Sequence, residues 1–139
     1  MVEISPSVIS ALVAHSRAEL PNEACGYLVA DGEGRVVRFV PIANAAASPT
    51  RFVLDAAEQL AAEQAIEAAG ETVAGIAHSH PTGAAEPSAT DIADAGAYDP
   101  FGVFVHAIVE PGPGVVRWFR ILDGAVERLD ESDGSADAT

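Results

Sequence analysis

Ile9, Leu12, Val13, Ser16 and Leu20 return at helical intervals, the mark of an amphipathic helix with one face toward a core. Ser5-Pro6 ahead of them reads as an N-cap with proline in the first turn, and Pro21 stops the pattern. The period then changes. Gly26 to Ala30 is an apolar run, Asp31-Gly32-Glu33-Gly34 a turn cluster, and Arg35 to Ile42 a returning strand, which together predict a hairpin. Asn44 to Thr50 is small and irregular, and Arg51 to Leu54 predicts a short strand.

Asp55 with Glu58 three residues on resembles a capping box, opening an alanine-rich helix that Gly70 closes. Thr72 to Ala77 is a short apolar run that feeds directly into His78 and His80. Ser88 to Ala97 predicts a third helix, and Pro111-Gly112-Pro113-Gly114 joins the apolar runs Gly102–Val109 and Val115–Leu122 into a second hairpin. Ala125 to Leu129 reads as a last edge strand. Helices and hairpins mixed in this order predict an α/β fold, a sandwich around one mixed sheet and not a regularly wound parallel one. The 139 residues suit one core. Residues 1–129 are expected to form that domain and 130–139 an acidic, disordered tail.

Charge narrows the partners. Twenty-one acids face seven basic residues, all arginine, for a formal charge of −14; without the four acids of the tail, 17 still face 7. Such a field repels a phosphate polymer, and no basic stripe offsets it, so nucleic acid is excluded as a partner. No apolar run reaches the ~20 residues of a membrane span, and no basic-then-apolar signal pattern opens the chain. Cys25 is a single cysteine and forms no internal disulfide. The expectation is a cytoplasmic protein with no membrane partner; a homodimer is left open.

The chemistry is concentrated in fourteen residues, His78-Ser79-His80-Pro81 followed by Ser88 and Asp91. The imidazoles are expected to converge where the strand runs out at Pro81-Thr82-Gly83, and Asp91, three residues into the next helix, can return a carboxylate oxygen to the same point. Two neutral imidazoles and a carboxylate make a three-ligand zinc site with a fourth position for water, the arrangement of a hydrolytic centre. Amide hydrolysis also needs a base and an oxyanion donor. Ser88 is the hydroxyl nearest the ligands. Glu23, Glu86 and Glu110 are candidate bases, and spacing alone does not choose among them.

The pattern His-x-His, seven residues opening with Pro81, Ser-x-x-Asp resembles the signature of the JAMM (MPN+) zinc metalloproteases without a gap. Glu-x-Cys-Gly before an apolar strand is similar to the segment that carries that family's catalytic glutamate. Pro21-Asn22-Glu23-Ala24-Cys25-Gly26, the Ser48-Pro49-Thr50 region and Arg120 to Gly124 resemble a small bacterial branch that includes a sulfur-carrier-cysteine peptidase. The resemblance implies a cytidine-deaminase-like α/β/α sandwich with one Zn²⁺ per chain on His78, His80 and Asp91. It implies Glu23 as general acid/base and Ser88 as oxyanion donor. The implied reaction is hydrolysis of the peptide or isopeptide bond after the Gly-Gly end of a ubiquitin-like or sulfur-carrier (β-grasp) protein. Only about ten residues separate Asp91 from Gly102, so the long insertion by which some relatives grip ubiquitin chains is not expected.

Blander readings stand beside these. Ser88-x-x-Asp91 is also a capping box, a role compatible with the site because a cap aims the helix. His15 and His106 read as structural, and Cys25 as a small buried side chain. A catalytically silent binding or scaffold module for a ubiquitin-like partner is the alternative of another class. A zinc deaminase would need a His-x-Glu and a Cys-x-x-Cys pair, and the chain has neither.

Overall fold

A computed structural model of the chain describes residues 1–133. The elements run β1 (Val2–Glu3), α1 (Pro6–Ala18), β2 (Cys25–Ala30), β3 (Val36–Ile42), α2 (Ala56–Ala68), β4 (Thr72–Ser79), α3 (Ala89–Tyr98), β5 (Val105–Glu110), β6 (Val115–Leu122), β7 (Ala125–Leu129) and β8 (Glu131–Ser132). Six strands form one sheet in the order β3-β2-β4-β5-β6-β7. Only β4 and β5 pair in parallel, because α3 carries the chain across between them; the other neighbours are antiparallel.

Side-chain alternation sorts the sheet into two faces. Leu28, Ala77, Ala107, Val109 and Trp118 pack with Val8 and Leu12 of α1. Tyr27, Val29 and Ile76 pack with Ile66 of α2 and, at their margin, Tyr98 of α3. One helix on one face and two on the other give the expected sandwich. Asp55 caps α2 by accepting from Glu58 N–H, and Gly70 leaves the helix at φ +73°. No described helix is long and apolar enough to cross a membrane.

β4 passes close to its parallel neighbour at Gly75. A Cβ there would lie 1.8 Å from the backbone oxygen of Val105, which belongs to the sheet and cannot swing away. Gly75→Ala is therefore expected to destabilise the fold by at least the ~1–3 kcal/mol of an overpacked core, measured by urea unfolding. Wild-type stability in that variant would mean that β4 and β5 sit farther apart than described.

Three expectations are corrected. Arg51 to Leu54 is no strand: a single bridge joins Leu54 to Asn44. Two backbone bonds, Ala45 N–H to Val53 O and Asp55 N–H to Ala43 O, are supplemented by a side chain, since Asn44 Oδ1 accepts from Ala46 and Val53 N–H while Nδ2 donates to the carbonyls of Glu23 and Arg51. The strand expected from Gly102 begins at Val105, and Gly102 lies in a turn at φ +62°. The expected tail begins with structure. β8 runs parallel to β1, Asp130 O accepts from Val2 N–H, and the indole N–H of buried Trp118 donates to Glu131 Oε1 at 3.1 Å. The expectation of disorder for 134–139 falls outside the described residues.

Candidate metal centre

The site is built at the end of β4, where its neighbours still hold the backbone. Ser79 N–H donates to Ala24 O and His80 N–H to Val109 O, so the strand stays pinned between β2 and β5 beyond its last ladder residue. His78 and His80 then fall on one face by the two-residue period itself, and convergence does not require the strand to end. It is the face that carries α2 and α3.

α3 supplies the third group. Ser88 Oγ accepts from Asp91 N–H at 3.0 Å and Asp91 Oδ2 accepts from Ser88 N–H at 2.9 Å, a reciprocal capping box that aims the carboxylate inward. Asp91 Oδ2 lies 3.1 Å from His78 Nε2 and 3.0 Å from His80 Nε2, and the two nitrogens are 3.2 Å apart. Ligands held ~2.0–2.1 Å from one tetrahedral ion stand ~3.3–3.4 Å apart, so this triangle needs to open by only a few tenths of an ångström. His80 Nδ1–H donates to Ala84 O at 2.7 Å, which fixes the ring and turns Nε2, the nitrogen a cation would take, toward the triangle. Burial opposes ionisation of Asp91, but hydrogen bonds from both imidazoles and Ser88 N–H outweigh it and hold the carboxyl well below its usual range. A fixed anion and two imidazoles in this spacing fit a divalent cation of zinc's preferences.

Glu23 arrives from the segment that leads into β2, the direct neighbour of β4. Its N–H donates to Ser48 O, its carbonyl accepts from Asn44, and the next residue, Ala24, donates to Ser79 Oγ at 2.8 Å. The carboxyl is 4% exposed and its Oε1 has no hydrogen-bond partner. Burial raises its pKa to about 7; His80 opposes the rise and Asp91 adds to it. Glu23, Thr50, His80 and Ser88 line one cleft of about 180 Å³. A larger cavity, about 510 Å³, lies at the opposite end of β4 beside Thr72 and Val105 and contains none of the ligands, so size does not mark the site here.

The other two candidate bases are placed elsewhere. Glu110 Oε2 accepts from Ala85 N–H at 2.9 Å and so braces the loop between the ligands, while Glu86 is exposed and lines no part of the cleft. Ser88 accepts the cap bond through its oxygen, which leaves the hydroxyl hydrogen to donate into the cleft. His15 of α1 sits 3.7 Å from Glu19 and His106 pairs with Asp99, so neither joins the triangle.

Cys25 is buried, its thiol 3.3 Å from Ile42 O, and burial with nearby Glu23 pushes its pKa up to about 12. The native protein is expected to react with iodoacetamide at pH 8 at least ~10²-fold more slowly than a free thiol, by mass spectrometry, and normally once unfolded. Rapid native alkylation would refute that burial.

Several supporting groups carried no local signal in the sequence. Phe52 stacks on the His78 ring, with centroids 4.6 Å apart, across a sequence distance no pattern bridges. The side chains of Ser79 and Asn44 anchor the Glu23-Ala24 backbone, Ser79 Oγ accepting from Ala24 N–H and Asn44 Nδ2 donating to Glu23 O, through bonds that only the folded sheet creates.

The sandwich carries a corner of two histidines and one aspartate whose spacing could hold a metal ion, and comparison makes the class specific. Residues 5–121 match the prokaryotic homologs of the JAB domain, and the chain belongs to that family. It is 41% identical over 124 residues to the CysO-cysteine peptidase of Mycobacterium tuberculosis, covering 88% of this chain and 84% of that protein. It is 37% identical over 112 residues to a Thermus thermophilus protein described as "Probable TtuB-protein conjugate cleaving protease", covering 80% and 70%. Among solved structures it resembles protein DSY2949 of Desulfitobacterium hafniense with a TM-score of 0.81 and 32% identity, covering 95% and 92%.

Proposed function

We propose that the protein is a zinc metallopeptidase that hydrolyses the peptide or isopeptide bond after the C-terminal Gly-Gly of a ubiquitin-like or sulfur-carrier protein. The observation that carries this reading is that His80, one corner of the His78-His80-Asp91 triangle, and a buried Glu23 whose Oε1 has no hydrogen-bond partner line one cleft. The names of the two relatives support the substrate class. His78, His80 and Asp91 would hold one ion per chain. When bound, zinc supplies Lewis acidity toward a carbonyl and toward water.

The chain's own residues supply the rest. Glu23, buried and with its Oε1 free, can take a proton from water and pass it to the leaving amine. Ser88 Oγ–H can donate to the oxygen that gains charge as the carbonyl is attacked. The capping box keeps that hydroxyl beside Asp91 while the bond to the scissile group forms.

Glu23, Thr50, His80 and Ser88 line an open cleft of about 180 Å³ in which an extended tail can lie, and the names of the relatives point to the tail of a carrier protein. A β-grasp carrier extended by one residue after Gly-Gly is therefore expected to be trimmed, with the product read by intact mass. Replacing its penultimate glycine with phenylalanine should abolish trimming. Equal turnover of both carriers would remove the Gly-Gly requirement.

A further inference from the structure

On the face that carries the metal triangle, between α2 and α3, Tyr27, Phe52, Leu54, Ile76, Tyr98 and Phe104 enclose a second cavity of about 330 Å³. That is near the lower end of the ~300–1,000 Å³ of ligand pockets. Tyr27 and Ile76 are buried and form its floor; the other four are half-buried walls, so it opens to solvent. Phe52 is shared with the metal centre, since one side of its ring stacks on His78.

Two of the walls are held by groups that the hydrolysis does not use. Asp99, 4% exposed, ends α3, and its carboxylate accepts from Val103 N–H at 2.9 Å, from Phe104 N–H, and from His106 Nε2–H at 3.1 Å. The Tyr98 hydroxyl lies 3.5 Å from the other nitrogen of His106. A buried carboxylate and imidazole are costly unless fully paired. Here the pairing fixes the backbone of one aromatic wall and meets the side chain of the other. The box is thus shaped before any ligand arrives, which lowers the entropic cost of binding.

The rim carries charge of one sign. Glu63 accepts from the Tyr27 hydroxyl at Oε2, Gln59 Nε2 donates to that hydroxyl at 2.9 Å, and no lining residue is basic. Aromatic faces and a carboxylate both attract cations, and the chain's −14 charge adds to the field. A guanidinium suits this better than an ammonium, because it is planar, weakly hydrated, stacks on rings and pairs with carboxylates. We propose that the cavity is a subsite for an arginine side chain of the protein substrate, its stem between Tyr98 and Phe104 and its guanidinium on Glu63.

The identity of the polypeptide bearing that arginine rests on the peptidase reading; the pocket's preference does not. The test is titration of N-acetyl-arginine amide into the ¹⁵N-labelled protein, with the citrulline and norleucine counterparts as neutral comparisons. The arginine compound is expected to shift the Ile76, Tyr98 and Phe104 amides saturably and to bind at least ~5-fold more tightly than either neutral compound. Glu63→Gln, at an exposed position, should lose that preference while its unfolding temperature stays within a few degrees of wild type. Equal binding by norleucine amide would overturn the cation and assign the pocket to an apolar side chain. Shifts confined to other residues, or none up to the solubility limit, would overturn the pocket itself. No arm reads hydrolysis, so failure of the peptidase reading would leave the arginine preference intact, and the reverse.

Discussion

Replacing His80 with alanine is expected to remove metal and hydrolysis together and leave the fold standing. His80 lies one residue past β4, its side chain partly exposed, and its polar contacts are the triangle and Ala84 O. None of the three apolar clusters contains it. Its loss cuts the ligand set to two, below the three protein ligands of a catalytic zinc site. Zinc should fall from one ion per chain to near zero by elemental analysis after dialysis. The ion-free variant should unfold within a few degrees of ion-free wild type, since removing a half-exposed hydrogen-bonding side chain costs ~1 kcal/mol, or ~2–4 °C at this size. Stoichiometric zinc in His80→Ala would remove the histidine from the site and with it the mechanism.

The reach of the sequence differs by element for physical reasons. The triangle was legible because strand end, turn and capped helix follow within fourteen residues, and each has a local signal: an apolar run, Pro81-Thr82-Gly83, and Ser88-x-x-Asp91. Glu23 was not legible in that way. It reaches the site through pairings with Ser48 and Ser79, and the choice over Glu86 and Glu110 came from resemblance to a family. The β1–β8 pair was missed because a two-residue strand carries no period, and an acid-rich segment looks solvated until Trp118 supplies an indole N–H to Glu131. His106 reads as structural from the sequence, but its partner Asp99 carries no local signal; only the turn at Gly102 brings the two together as one buried pair.

That division explains how the site is assembled. The His78-His80-Asp91 corner depends on local chain geometry and on two strands that flank β4, whereas Glu23, the proposed base, depends on the β2–β4 register, with Cys25 opposite His78. The bulge between Leu28 and Val29, opposite Gly75 and Val73, preserves that register while letting Val73 and Ile76 share one face. A one-residue slip there would turn His78 away from α3 and leave Glu23 facing nothing. Base and metal corner are therefore separable by mutation although they share one cleft.

Glu23→Gln should make that separation visible. The amide keeps the carboxyl's size and leaves His78, His80 and Asp91 untouched, so zinc content should match wild type. Hydrolysis should fall by the ~10²–10⁴-fold of a missing general acid/base, with the loss in kcat more than in KM. Stability supplies a readout without metal. Burial raises the Glu23 pKa from an ordinary 4.5 to about 7, so the folded protein prefers the protonated carboxyl. Below about pH 4.5 the acid is neutral folded and unfolded, and wild type and variant should be equally stable. Between there and about 7 the unfolded chain ionises first, so ion-free wild type loses stability relative to Glu23→Gln, and above 7 the full difference persists. Urea midpoints from pH 4 to 8 measure it. Near-wild-type turnover in Glu23→Gln would take the base away from Glu23, and a urea difference that shrinks as pH rises would mean the carboxyl is not held in a site that disfavours its charge.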